Sequence, residues 1–394
     1  MRRFFTVLSI CLIAILISSS QYDCLTPFLR ENNTPLDLDQ LDLSLMAQDF
    51  AANDVYLSGA EWHGTKASYS VHLALLKALH QQAGVRYMLL GTGYATGQMY
   101  NAYLQSGDEE ILMLLHEAIR FSNSSNEEHR MFWKNLYQYN QTLPAEERIT
   151  VIGIDLEYLP YVAIHYLLSL PGADQLSQLY PDRYLGTTEN LDNYVSALQT
   201  EVAANQSMYQ ETLGESFAEL EAVLNNLADT AAANRNPDFY TAREQVLYQN
   251  FLRTYQRFPQ GKFFGQWTME HIYQRPASTP VMARAERLGM LLNQEGSPVQ
   301  DRVLSIAATY MNSKYRFYWG RFYELDIEEE LLTDLNAFRE LAKTDYTLFR
   351  LTGEGSPFSE EGYVVKEPFG WVTTDYFQYL LVIKNSLPTS PNSK

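Results

Sequence analysis

The sequence predicts an α/β fold: a mostly parallel central sheet flanked by helices, with an inserted helical subdomain. Three observations predict it. Short apolar runs that end at glycine or polar residues alternate with stretches of helical periodicity. The first two such runs and the helix between them span about 35 residues, the length of a strand, crossover helix, parallel strand unit. From about 185 to 258 helical periodicity continues with almost no strand signal.

Taken in order, residues 21–50 are polar with an amphipathic patch, Leu36 to Met46, and read as a lead-in segment lying on the body. The body is expected over 51–385. Val55-Tyr56-Leu57, ending at Ser58-Gly59, is a buried strand, followed by a loop carrying Glu61-Trp62-His63-Gly64. Ser68 to Gln82 places Val71, Leu75, Leu76 and Leu79 at helical spacing, with Gly84 as the stop. Val85 to Leu90 is a second strand, and a right-handed crossover is expected to make it the neighbour of the first. Gly91-Thr92-Gly93 breaks it. Helices follow over 96–105, 109–121 and 127–140, then a third strand, Ile149 to Ile154, ending at Asp155.

The insert of about 185–258 puts Leu213, Phe217, Leu220, Val223 and Leu224 on one helical face. Lys262 to Trp267 returns to strand character, with His271 close behind. A helix is expected over 280–293, and strands at Arg302 to Thr309, Tyr346 to Leu351 and Tyr376 to Ile383. Residues 386–394, rich in Pro, Ser and Asn, read as a flexible tail.

The amino terminus points to export. Met1-Arg2-Arg3, the apolar run Phe4 to Ile17 and Ser18-Ser19-Ser20 supply the basic, hydrophobic and small-residue regions of a signal peptide over 1–20. The apolar run is ~14 residues against the roughly 20 that span a bilayer, leaving an uncleaved N-terminal anchor as the alternative. Cys24 is a conceivable lipidation site, but Gln21-Tyr22-Asp23 before it are not the small and aliphatic residues such processing prefers.

Composition excludes several functions. Of 394 residues 46% are hydrophobic and 19% charged, which describes a chain with a sizeable core. Acidic residues outnumber basic ones 47 to 29, and the net charge of -18 repels phosphate backbones, so no nucleic-acid partner is expected. Nor is a membrane contact beyond the N-terminal segment. Both cysteines, Cys11 and Cys24, precede the body, which excludes an internal disulfide, a thiolate metal cluster and thiol catalysis there. Gly-x-Ser-x-Gly, a Walker loop and His-Glu-x-x-His are all missing. Gly91-Thr92-Gly93 with Gly97 has the wrong spacing for a dinucleotide loop.

Chemistry is expected where strands of a parallel sheet end, because such folds bind ligands just past the carboxyl edges. Those positions hold Glu61 and His63, Gly91 to Tyr94, Asp155 and Glu157, and His271. A neutral imidazole can take a proton from water near pH 7 while a carboxylate fixes its tautomer. That arrangement activates water. Of the other histidines, His72, His80, His116 and His129 fall on predicted helices, and His165 reads as a core residue.

These residues resemble the erythromycin esterase-like superfamily, which also takes in ChaN-type haem-binding lipoproteins and the Tiki/TraB proteins. The first match is Val55 to Gly59, Glu61, His63-Gly64-Thr65. Then come Tyr87 to Leu90 with Gly93-Tyr94 and Asn101 to Asp108, Phe132-Trp133 through Asn140 with Ile149 to Asp155, and Phe264 to His271. The resemblance implies a hydrolase of small-molecule esters or lactones, with His63 as general base on water, Glu61 supporting it and His271 polarising the substrate carbonyl. It implies no metal and no cofactor. Two departures stand out: Ala60 separates Gly59 from Glu61, and Gly91 or Thr92 stands where the family pattern has a second Glu. Asp155 or Glu157 is the expected substitute. The alternatives are a catalytically inactive ligand- or haem-binding protein of the same fold, or a metal-dependent peptidase of the Tiki/TraB type.

Overall fold

The computed structural model describes residues 25–60, 64–276, 285–319, 321–327, 331–333, 335–364 and 370–391. The N-terminal segment with Cys11 and Cys24 lies outside them, and so do Glu61 and His63.

The chain opens with α1 (25–31), β1 (Asn33–Pro35), β2 (Val55–Ala60), α2 (Lys66–Ala83) and β3 (Tyr87–Leu90). Three helices, α3 (Tyr94–Ser106), α4 (Glu109–Ala118) and α5 (Glu127–Gln141), lead to β4 (Thr150–Gly153). Between β4 and the next strand lie α6 (Pro160–Ser169), α7 (Thr188–Ala204), α8 (Gln206–Leu213), α9 (Phe217–Arg235) and α10 (Phe239–Arg257). Then come β5 (Phe263–Thr268), α11 (Met269–Ile272), α12 (Leu288–Asn293) and β6 (Val303–Met311). The chain finishes with a hairpin of β7 (Ser313–Tyr318) and β8 (Phe322–Ile327), then α13 (Asn336–Leu341), β9 (Tyr346–Arg350) and β10 (Tyr379–Lys384).

Eight strands form one sheet in the order β1-β9-β10-β6-β2-β5-β3-β4. The six from β10 to β4 are parallel, and β9 runs against β10 and β1. Buried on both faces, β6 has every residue inside, as a central parallel strand must. On one face Leu75, Leu79, Phe132 and Leu136 pack against Phe264 and Ile306; on the other, Phe251, Leu291 and Phe338 pack against Phe263 and Phe349. Helices α6 to α9 carry a further apolar cluster of their own, including Leu167, Leu198, Leu220 and Leu227.

Several expectations change. β2 and β3 are not neighbours: β5 lies between them, with Leu57 and Leu89 both registered on Gly265. The α2 crossover therefore skips a position, which the return from the long helical excursion fills. The hairpin β7–β8 and the short β1 had no sequence reading as strands. Of the helix expected over 280–293, the described part is helical only from Leu288 to Asn293. His165, expected in the core, is exposed on α6. Residues 386–391 of the expected flexible tail lie against the body, with the Thr389 amide donating to Gly64 O at 2.9 Å and Thr389 itself buried.

The open edge of the sheet is closed by side chains. Asn101 bonds both main-chain groups of Val151 (Nδ2 to O and Oδ1 from N, 2.8 Å each), and Asn140 does the same at Ile149 (2.9 and 3.0 Å). Each carboxamide imitates the next strand, removing the unpaired edge on which another chain would template. Asn140 begins an Asn-x-Thr sequence but is 1% exposed.

Candidate active site

The carboxyl ends of β2, β5, β3 and β4 stand side by side, and the segments leaving these four strand ends build the site. Past β5 the short helix α11 carries His271, 3% exposed, with its ring 5.6 Å from that of Trp267. Its Nδ1–H donates to Glu244 Oε2 at 3.2 Å; Oε1 is nearer, at 2.9 Å, but lies off the N–H direction. Glu244 comes from α10 and is itself buried, and its Oε2 also accepts the Leu288 amide at 2.9 Å. Arg287 completes the group, with Nη1 3.7 Å from Glu244 Oε1 and Nη2 3.4 Å from Glu270 Oε2. A carboxylate on Nδ1 leaves Nε2 as the atom that exchanges a proton.

Past β4, Asp155 is wholly buried and clasped by Arg243: Nε to Oδ1 at 2.9 Å and Nη2 to Oδ2 at 2.5 Å, with the Leu156 amide on Oδ1 at 2.7 Å. Burial alone would pull the Arg243 guanidinium down, but the charge and hydrogen bonds of Asp155 outweigh it and hold it above its usual range. Arg243 keeps 20% of its side chain exposed and faces the Tyr158 ring at 5.8 Å. Consecutive residues of α10, Arg243 and Glu244, thus hold Asp155 and His271.

Past β3 come Gly91 and Thr92, one of which stands where the resemblance predicts a second Glu, and Gly91 has no side chain. A Cβ there would lie 3.2 Å from the Trp267 ring and 3.8 Å from Asp155 Oδ2, so a carboxylate at this position would project beside the one already present. Gly93 has a different reason. A Cβ would overlap Glu157, whose carboxylate accepts the Thr96 amide at 3.1 Å and the Thr96 hydroxyl at 2.6 Å and so caps the start of α3. Burial pushes Glu157 up to about 7 against the pull of those bonds. These bonds anchor the start of α3.

Past β2, the loop with Glu61 and His63 lies outside the described residues, and the chain reappears at Gly64. There φ is +94°, and a Cβ would overlap the Arg316 main-chain oxygen, so only glycine fits. Gly64 O accepts the amides of Arg316 and Thr389, both at 2.9 Å, which fixes the loop's exit with the hairpin and the tail.

Among the described residues, no group of three or more His, Cys, Asp or Glu side chains is placed to hold a metal ion. No protein-family model and no curated protein matches the sequence. Solved structures do. A structural-genomics protein from Bacillus cereus aligns over 93% of this chain and 98% of its own, with TM-score 0.68 at 16% identity. A protein described as a succinoglycan biosynthesis protein gives the same coverage and TM-score at 14% identity. A variant of the erythromycin esterase EreC in its open conformation aligns over 90% of this chain and 97% of its own, with TM-score 0.63 at 12% identity.

The chain has the erythromycin esterase-like fold. In this esterase-like frame Asp155 and His271 are both buried past strand ends and both held by α10. The reading of the sequence missed Arg243, Glu244 and Arg287. A signal existed for Glu244. It sits on the stripe Leu247, Phe251 and Thr254 that α10 buries, where the helical period calls for an apolar residue.

Proposed function

We propose that this protein hydrolyses an ester or lactone in the crevice at the carboxyl ends of β2, β5 and β3. The observation that carries the reading is the buried His271–Glu244 pair at the end of β5, with the Asp155–Arg243 pair beside it. A polarised imidazole and a partly exposed guanidinium suit a reaction in which water attacks a carbonyl carbon and negative charge gathers on its oxygen. His63, oriented by Glu61, takes the water proton; His271 in its imidazolium form, with Nδ1–H on Glu244, donates Nε2–H toward the carbonyl oxygen; the carbon–oxygen bond breaks and the alkoxide takes the proton from His63 as it leaves. The shared fold with an erythromycin esterase supports this assignment, and the signal-like residues 1–20 support an exported enzyme.

The test is hydrolysis of p-nitrophenyl acetate and of a macrolide lactone by purified protein, by His63→Ala and by His271→Ala. Loss of about 10²- to 10⁴-fold in kcat/KM in both variants is expected. Rates unchanged in both would remove the histidines from the chemistry.

A further inference from the structure

Beside the crevice, on the flank of the sheet, two cavities meet. One, about 570 Å³, runs along the outer edge of β4 to α3 and the end of α10; the other, about 410 Å³, lies between α9 and α10. Tyr94, Gly153, Thr254 and Arg257 line both, whereas Asp155, Arg243, Glu244 and His271 line neither. The larger falls in the range of small-molecule sites, about 300–1,000 Å³.

Its charge is out of keeping with the rest of the molecule. In a chain of net charge -18, the lining of the larger cavity contains Arg148 and Arg257 and no carboxylate. Elsewhere Arg120, Arg130, Arg235, Arg253, Arg302 and Arg316 each have an acidic partner, while others such as Arg86, Arg321 and Arg350 bond only neutral oxygens. Among the described residues Arg148 and Arg257 have none within 4.0 Å. Arg148 Nη2 reaches only Gln141 Oε1 at 3.4 Å, and its Nε is buried with no partner among those residues. Leaving such a donor unmet is unfavourable, and an acceptor brought by a ligand would satisfy it.

The junction of the two cavities is already organised. Tyr94 OH donates to Glu219 Oε2 at 2.7 Å while accepting from Gln98 Nε2 at 3.0 Å and, loosely, from Arg257 Nη1 at 3.4 Å. Glu219 Oε2 takes a second phenol, Tyr166, also at 2.7 Å. That carboxylate, which with Glu221 lines the smaller cavity beside Arg257, is thereby committed to two phenols. The guanidinium is left to the cavity.

We propose that the cavity along β4 binds a small oxyanion-bearing ligand, a carboxylate or a phosphate, through Arg148 and Arg257. Guanidinium groups present paired donors matched to either anion, and Gln98 and Gln105 offer neutral hydrogen bonds beside them. The site is independent of the hydrolase reading and stands if that reading fails.

Calorimetric titration of the full protein with inorganic phosphate and with citrate, at constant ionic strength, tests it. Saturable binding of at least one anion is expected, weakened about tenfold or more in Arg257→Gln and in Arg148→Gln, and retained in Arg120→Gln. Phosphate alone, citrate alone or both would each support the site and name its anion. Binding of neither anion, or equal binding in wild type and both cavity variants, would overturn it. Arg257 is exposed at the end of α10, so Arg257→Gln keeps the test sound should Arg148→Gln not fold.

Discussion

One buried imidazole and a cluster of three others sit on this one sheet under opposite electrostatic rules. Past β5, His271 has a carboxylate on Nδ1, and among the described residues Glu244, Arg287 and Glu270 alternate in sign beside it. Between α2, α4 and α5, His72, His116 and His129 gather with almost nothing to bond. Among the described residues His72 Nε2, both ring nitrogens of His116 and His129 Nδ1 have no partner, and the His116 and His129 rings stack at 6.0 Å. Burial holds His72 down to about 3, and burial with the two neighbouring imidazoles holds His129 there too. His72 works as an aromatic ring, 4.7 Å from Phe132 and 5.5 Å from Phe264. The same side chain is thus paired with a carboxylate in one place and packed as a ring in the other. The difference lies in whether a carboxylate accompanies it into the interior.

The largest effect expected to sharpen this contrast is on activity. His271→Ala lowers ester turnover by about 10²- to 10⁴-fold, equivalent to roughly 3 to 5 kcal/mol, while His72→Phe leaves it unchanged. Comparable losses in steady-state kcat/KM for both would erase the distinction. Next is the ion pair. Asp155→Ala strands Arg243 and costs about 3 kcal/mol in urea unfolding at pH 7, the lower end for a buried pair because Arg243 reaches solvent. A loss below about 1 kcal/mol would place the pair with surface bridges.

The two remaining effects have opposite signs in pH. Glu157 titrates near 7 in the fold and near 4.5 unfolded, so its protonated form favours the fold below about 4.5 and that advantage is lost as pH rises through 7. It amounts to roughly 3 kcal/mol by pH 8, and Glu157→Gln should flatten the stability curve over that interval. His72 runs the other way. Its folded value near 3 lies below 6.5, so its contribution is complete above 6.5 and declines as pH falls toward 3. About 2 kcal/mol goes between pH 7 and 5, and His72→Phe should recover it; an unchanged acid limb would show that water or a partner reaches that ring.

Much of this molecule was legible because local patterns carry it. The apolar runs became β2 to β6, and Gly84 ended α2, because burial on both faces and a left-handed turn each demand particular residues. Asp155 and His271 could be nominated because strand ends converge in any parallel sheet. The reason for a glycine at position 93 emerged only in three dimensions, as its close approach to Glu157.

What the sequence alone determined, then, was periodicity: which segments are strands, which are helices, and which residues end them. Tertiary structure decided adjacency. It put β5 between β2 and β3, sent β9 backward, and lowered Glu244 and Arg243 from a helix 27 or more residues away onto His271 and Asp155. Periodicity is set by each residue's own side chain and its near neighbours, while a buried charge is tolerable only beside its opposite. That partner can come from anywhere in the chain.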